Sequence, residues 1–323
     1  MGAGAGEPFG QPLNFQIYLP IAEVSVNLFH ILGAGLAVGF WSGLLGVGGG
    51  FLITPLLILL GIPPLVAVST GANQSVATSV SGALAQWRRG NVDLKMGGVL
   101  LAGGVFGTVL GVRLVYTLRQ LGQFDLAVAV TYVVLLGTIG LLMLIESIGA
   151  IRQSYAGKNT SVRPPGQHHA WLHGLPYKMR FNRSKLYVSA LPPAVIGAFV
   201  GLLSGVMGVG GGFVLVPALV YLIRMRTTIA MGTSQMFIVF GSGLTTILQA
   251  YQNESVDVLL AMMLMVGGVI GAQIGAAVGQ KFNGEQLRAA LAVLVLMVCF
   301  RVAFDLLVTP SDLFSIAVMM GGR

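Results

Sequence analysis

The chain has 323 residues, of which 55% are hydrophobic and only 9% are charged, whereas soluble domains carry about 25% charged residues. This composition excludes an ordinary soluble protein and predicts an all-α, polytopic helical membrane protein embedded in a lipid bilayer. The formal net charge is +8, but the basic residues lie between apolar segments, which is typical of a membrane-topology signal. No compact basic domain exists to carry a nucleic-acid site, so no nucleic-acid partner is expected.

The N-terminal segment contains no Lys or Arg before residue 26. It lacks the basic region of a cleavable signal peptide, so we expect the first apolar segment to remain in the mature protein. The predicted organisation is an N-terminal extracytoplasmic segment, a first repeat of membrane helices, a basic cytoplasmic loop, a second repeat and a C-terminal tail, at residues 1–25, 26–148, 149–188, 189–309 and 310–323.

The two repeats are visible as an internal duplication. GVGGGF occurs at Gly46–Phe51 and again at Gly208–Phe213, and eleven of nineteen positions are identical when Ser42–Leu60 is aligned with Ser204–Leu222. Repeated multi-helix units in an apolar chain are typical of transporters built from two halves. The segment that follows each GVGGG is too short to span a bilayer comfortably, which predicts broken helices.

The glycine stretches favour one particular use of a broken helix. Consecutive glycines interrupt a helix, and the next helix then presents free N–H groups and the positive end of its dipole, which attract an anion. Close helix packing is the alternative, and it suits the spaced glycines at 103, 107 and 111 better. The predicted anion-binding glycines are Gly48, Gly49, Gly50, Gly210, Gly211 and Gly212.

Polar residues follow each short segment inside an apolar span. Amides and hydroxyls are costly there unless they are paired or wet, although hydrogen bonds between helices would also explain them. Aligning Asn73-Gln74-Ser75 with Ser234-Gln235-Met236 predicts that both sets face one shared site. The predicted substrate-binding side chains are Thr70, Asn73, Gln74, Ser75, Thr233, Ser234 and Gln235.

Catalytic and metal-binding arrangements do not emerge from the sequence. It contains no Ser-His-Asp, paired-carboxylate or HExxH pattern, and its single cysteine excludes a cysteine-based metal site. We therefore predict no catalytic residues, no metal site and no cofactor, and we do not expect an enzyme.

The charges between segments predict the orientation. The loop at 149–188 is basic and lies in the cytoplasm by the positive-inside rule, together with Arg88 and Arg89. The acidic connection around Glu254 then lies outside, as does the N-terminus, while Arg119 is an exception to the scheme. An odd number of crossings in each half makes the two repeats inverted.

The motifs GLLGVGGGFLITPLL, STGANQS, GLLSGVMGVGGGFVLVPALVYL and MGTSQMF together resemble the TauE/SafE family of membrane permeases, the sulfite exporters. The resemblance covers about residues 27–308. It implies a multi-pass secondary transporter of the bacterial inner membrane whose substrates are sulfite, organosulfonates or related small anions.

The function expected from residues and resemblance together is export of such an anion by alternating access. An anion channel, or uptake of a sulfur oxyanion coupled to protons or another cation, are the alternatives. The sequence leaves the anion, the direction, the coupling ion and the oligomeric state open.

Overall fold

The computed structural model describes residues 16–45, 47–155, 178–181, 183–279 and 284–307. Most of the predicted N-terminal segment, basic loop and C-terminal tail therefore lies outside the described residues. The described chain is mostly helical, which confirms the all-α prediction. Its helices are α1 (Leu28–Leu45), α2 (Gly50–Leu59), α3 (Pro64–Arg88), α4 (Leu94–Gln120), α5 (Phe124–Tyr155), α6 (Leu191–Met207), α7 (Gly212–Tyr221), α8 (Thr227–Asn253), α9 (Val258–Gly279) and α10 (Gly284–Leu307).

Five of the described helices are long and apolar enough to cross a membrane: α1, α4, the 124–145 part of α5, α8 and α9. In contrast, α2 and α7 have 10 residues each, or about 15 Å at 1.5 Å per residue, which is half of a hydrocarbon core. The short segments predicted after each GVGGG are therefore present as half-length helices.

Each half also begins with a two-stranded antiparallel hairpin that the sequence did not reveal. The strands are β1 (Gln16–Leu19), β2 (Val24–Asn27), β3 (Lys178–Phe181) and β4 (Leu186–Ser189). The first and last residues of each strand in the second hairpin lie 162 residues after their counterparts in the first. The turns match as well, because Glu23 and Lys185 have φ angles of 53° and 52°. Left-handed turn residues are usually Gly or Asn, so Glu and Lys gave no turn signal.

The two halves pack together through close helix pairs, each of which combines one helix from each half. Helix α1 of the first half packs on α9 of the second, and α4 packs on α6. A Cβ on Gly39 would lie 2.7 Å from the carbonyl carbon of Gly268, and a Cβ on Gly107 would lie 2.7 Å from that of Ala198. Side chains do not fit at such separations, so these glycines are required for backbone contact. The packing interpretation of the spaced glycines is confirmed.

Two aspartates join each hairpin to the opposite half. Asp93 caps α4 and accepts two further hydrogen bonds from Ser184, through its N–H at 3.0 Å and its hydroxyl at 2.6 Å. Asp257 caps α9 in the same way and accepts a hydrogen bond from the N–H of Ile21 at 3.2 Å. We call these arrangements the Asp93 clamp and the Asp257 clamp.

The two clamps lie at opposite ends of α4. Asp93 immediately precedes this helix, and its N–H donates to the hydroxyl of Thr233 near the start of α8 at 3.1 Å. In the last turn of α4, Arg119 donates to the carbonyl of Asn253 at the end of α8, at 3.0 Å. Asp257 follows Asn253 by four residues, so the second clamp lies beside that end.

Candidate functional site at the paired helix breaks

Both glycine stretches interrupt the helical path, as predicted. Helix α1 ends at Leu45 and α2 begins at Gly50, while α6 ends at Met207 and α7 begins at Gly212. Left-handed backbone occurs at Gly48, with φ +81°, and at Gly210, with φ +72°. Only glycine adopts this conformation readily, so these two positions explain why the breaks are built from glycine.

The two breaks meet in the protein interior. A Cβ on Gly50 would lie 2.6 Å from the carbonyl oxygen of Val209, and a Cβ on Gly212 would overlap the carbonyl of Val47. The first side chains of α2 and α7 also stack, since the rings of Phe51 and Phe213 lie 5.4 Å apart. We call residues 47–51 together with 208–213 the junction. The positive ends of two half-length helices therefore lie side by side.

One residue from α3 and one from α8 cover both breaks. Ser75 lies against Gly50 and Gly210, while Ile238 lies against Gly48 and Gly212. Ser75 and Ile238 occupy equivalent positions, because each follows the first residue of its helix, Pro64 or Thr227, by the same number of residues. The junction thus has a polar cover on the α3 side and an apolar cover on the α8 side.

The neighbouring residues reveal a register that differs from the sequence alignment. Gln74 lies against Gly268 of α9, and the equivalent glycine of α4, Gly104, is in contact with Phe237. Gln74 therefore corresponds to Phe237, and the alignment with Gln235 is wrong by two residues. Two residues turn a helix by about 200°. Gln235 accordingly lies elsewhere, against Gly82 of α3.

Two equivalent serines bring unpaired hydroxyls to the junction. A Cβ on Gly48 would lie 3.4 Å from the hydroxyl of Ser79, and a Cβ on Gly210 would lie 2.6 Å from that of Ser242. Both serines are fully buried, and neither hydroxyl has a hydrogen-bond partner within the described part of the chain. An unsatisfied buried hydroxyl costs about 1–3 kcal/mol. The same uncompensated group thus occurs in both halves at the same place.

Further unpaired polar atoms lie on the same two helices. Among the residues that the structure describes, both amide atoms of Gln74 are buried without a partner, and so are the hydroxyl of Thr70 and the amide oxygen of Gln235. Thr70 and Thr233 are equivalent at the 163-residue shift, but the Thr233 hydroxyl is engaged by the N–H of Asp93. Among the described residues, α3 therefore contributes more uncompensated polarity than α8.

The remaining predicted site residues have local roles or lie at the edge. The Ser234 hydroxyl donates to the carbonyl of Met231 on its own helix at 2.9 Å, and Asn73 is half-buried. Gly49 and Gly211 face Val38 and Val200 of the preceding helices. The structure thus brings Gly48, Gly50, Ser75, Gly210 and Gly212 together at the junction.

Sequence reasoning missed Ser242 and gave Ser79 no specific role. An alignment based on the starts of α3 and α8 would have identified the pair, because both serines follow the first helical residue by fifteen positions. The alignment through Gln235 hid this equivalence.

The junction is closed in this conformation. Its described glycines are buried, and two cavities that the described residues form lie elsewhere. One of about 360 Å³ lies among α2, α5 and α10, and one of about 340 Å³ lies beside the Asp93 clamp. Among the described residues, no cluster of His, Cys, Asp and Glu could hold a metal ion.

Five candidate spans, a duplicated helical fold and two facing half-helices define a multi-pass membrane transporter. The chain belongs to the TauE/SafE sulfite exporter family, whose model matches residues 31–302. It is 30% identical to a probable membrane transporter protein of Xylella fastidiosa, over 85% of this chain and 95% of the relative. It is 28% identical to the probable membrane transporter protein YjnA of Bacillus subtilis, over 83% and 96%. No solved structure matches the chain.

Proposed function

We propose that the protein exports sulfite or an organosulfonate across the bacterial inner membrane, binding the anion at the junction and moving it by alternating access. The observation that carries this proposal is the pair of unpaired, fully buried hydroxyls of Ser79 and Ser242 beside the left-handed glycines. A buried donor without a partner is retained at a cost. An oxyanion bound at the junction would accept from both hydroxyls at once.

The electrostatics of the junction favour an anion over a cation. Two helix N-termini meet there, and each is equivalent to about half a positive charge. The side chains that cover the breaks, Ser75, Ile238, Ser79 and Ser242, are all uncharged. The bound anion would thus keep most of its negative charge, and a membrane potential negative inside favours its export by about 2.3 kcal/mol per charge per 100 mV.

Closure of the junction favours a carrier over an anion channel. A channel needs a continuous wet path, whereas the described junction residues are buried on all sides. Two halves that exchange partners through α1–α9 and α4–α6 provide bodies that could rock around a central anion. Coupled uptake would instead require a cation site, for which the described junction residues offer no carboxylate.

The clamps support the proposed orientation. Ser184, at the end of the predicted cytoplasmic loop, is bound to Asp93, close behind the Arg88-Arg89 pair. The N-terminal hairpin is bound at the other end of α4, beside Glu254. Basic segments thus gather at one end and the N-terminus at the other, as expected for an inverted repeat with its N-terminus in the periplasm.

Flux into proteoliposomes at set membrane potentials tests the proposal. We expect saturable transport of sulfite or sulfoacetate, with sulfate and taurine as comparison solutes, driven by a potential that is negative on the cytoplasmic face. Ser79→Ala and Ser242→Ala should each lower flux about tenfold, which corresponds to one lost hydrogen bond of about 1.4 kcal/mol. Both variants should fold at least as stably, because each removes an unsatisfied hydroxyl.

Thr138→Ala is the matched control. Its hydroxyl is exposed on α5 and donates only to its own helix, at 2.7 Å from the carbonyl of Val134, so flux should stay unchanged. Currents far above carrier rates would indicate a channel, and flux that requires a proton gradient would indicate coupled uptake. Normal flux in both serine variants would refute binding at the junction.

A further inference from the structure

The cavity beside the Asp93 clamp is lined partly by charged side chains, whereas the side chains that cover the junction are uncharged. It has a volume of about 340 Å³ and lies between the end of α3, the start of α4 and the turn of the β3–β4 hairpin. Its lining includes two cations from separate elements, Lys95 of α4 and Arg183 of the turn. The guanidinium reaches across to the end of α3, because a Cβ on Gly90 would lie 3.2 Å from Arg183 Nη1.

The carboxylate in this cavity is engaged by other groups and not by the two cations. Asp93 is 2% exposed, and its oxygens already accept from the N–H of Met96 and from the N–H and hydroxyl of Ser184. Within the described part of the chain, neither Lys95 nor Arg183 forms an ion pair. Both side chains are exposed. An anionic ligand would therefore find two available cations at one cavity.

The same cavity carries apolar side chains that mark the edge of the bilayer. Trp87 is 54% exposed and Leu94 is 50% exposed, and both belong to the lining. Tryptophan is enriched at the membrane–water interface, and Lys and Arg placed at that level attract anionic lipids. A lipid phosphate could reach the cations while its glycerol and upper acyl chains contact Trp87 and Leu94.

The Asp257 clamp provides an internal comparison. Its backbone repeats that of the Asp93 clamp, but the position of Lys95 is occupied by Leu259, that of Arg183 by Ile21 and that of Trp87 by Ala250. The duplicated scaffold therefore does not require the two cations or the tryptophan. They are specific to one end of the molecule.

We propose that the Lys95–Arg183 cavity binds the phosphate headgroup of an anionic phospholipid. Lys95 and Arg183 contact the phosphate oxygens, and Arg183 presents the planar fork that suits a phosphate. Because Arg183 lies in the turn held by Asp93, the bound lipid would fasten the β3–β4 hairpin to the start of α4. This site is separate from the junction and does not rest on the transport proposal.

Native mass spectrometry of the full chain, titrated with phosphatidylglycerol and with phosphatidylcholine of the same acyl chains, tests the site. We expect the unchanged protein to bind phosphatidylglycerol at least fivefold more tightly. Lys95→Gln combined with Arg183→Gln should remove this preference, whereas Arg183→Lys should retain part of it. The matched control is Ile21→Gln combined with Leu259→Gln, which places the same side chains at the Asp257 clamp and should leave the preference unchanged.

Thermal melting of each variant in detergent checks that it is folded. We expect unchanged melting midpoints, because neither cation takes part in the hydrogen bonds of the clamp. A preference for phosphatidylglycerol that persists in the Lys95→Gln, Arg183→Gln variant would overturn the proposal. A third arm uses inorganic phosphate as competitor. Displacement of the lipid at equal concentrations of the two would also overturn the lipid assignment, because it would show a site for soluble anions.

Discussion

The two sides of the junction share a backbone and differ in chemistry. On the α3 side, Ser75 covers the breaks and Gln74 lies beside it, whereas on the α8 side the same positions are Ile238 and Phe237. The duplication preserved the glycines, which the backbone needs, and also the two equivalent serines. It did not preserve the polar cover. Under the proposed function, Ser79 and Ser242 would bind the anion from both sides, and the α3 side would add further polar contacts.

The comparison is tested first at the glycines that immediately precede the two half-length helices. Gly211 has φ +73° and a Cβ there would overlap Val200, whereas the equivalent Gly49 has φ −78° and its Cβ would lie 3.2 Å from Val38. Gly211→Ala should therefore destabilise the protein by about 2 kcal/mol or more, and Gly49→Ala by less than about 1 kcal/mol.

Melting in detergent and proteoliposome flux measure both glycine variants. We expect Gly211→Ala to lose nearly all flux together with several degrees of melting midpoint, and Gly49→Ala to lose less of each. Equal losses at the two positions would show that the backbone difference between the breaks has no consequence.

The polar cover itself can be tested at the equivalent pair Gln74 and Phe237. Gln74→Leu removes two unpaired buried amide atoms at similar volume, so stability should rise by about 1–3 kcal/mol while flux falls about tenfold. Phe237→Leu is the control, and it should lower stability by about 1–2 kcal/mol with a smaller effect on flux. The two variants should thus move stability in opposite directions.

If Gln74→Leu transports normally, Gln74 does not recognise the anion and is removed from the predicted site. If Gln74→Leu instead loses flux and is destabilised, the amide has a partner that this conformation lacks, and Gln74 stays in the predicted site.

The two clamps also differ between the halves, and stability alone measures this difference. Asp93 accepts three hydrogen bonds and Asp257 accepts two, so Asp93→Asn should cost about 2–3 kcal/mol and Asp257→Asn about 1–2 kcal/mol. Melting midpoints in detergent measure this order. A reversed order would mean that the N-terminal hairpin is held by contacts other than its aspartate.

Local features of the sequence were enough for the predictions that depend on composition and repetition. A charged fraction of 9% indicated a bilayer, and consecutive glycines indicated interrupted helices because glycine is a poor helix former. Spaced glycines indicated close helix contacts because small residues let helices approach each other. The hairpins were not found, since Glu23 and Lys185 take left-handed angles that their residue types do not suggest.

The substrate-binding set shows the limit more sharply. Gln74 and Gln235 look equivalent in an alignment, yet the side chain of Gln74 contacts α9 and that of Gln235 contacts α3. A shift of two residues changes the direction of a helical side chain by about 200°, and no local signal corrects it. Ser79 and Ser242 gain their importance only because Gly48 and Gly210 are placed next to them.

The sequence by itself determined a duplicated helical membrane protein with two broken spans, because apolar content and glycine runs act within one segment. Only the tertiary structure decided that the two breaks meet, that each half holds the hairpin of the other, and that one side of the meeting point is polar. Those outcomes depend on contacts between residues that are far apart in the sequence, 91 positions for Asp93 and Ser184 and 236 for Ile21 and Asp257. Direction and register, and not residue type, select the partner.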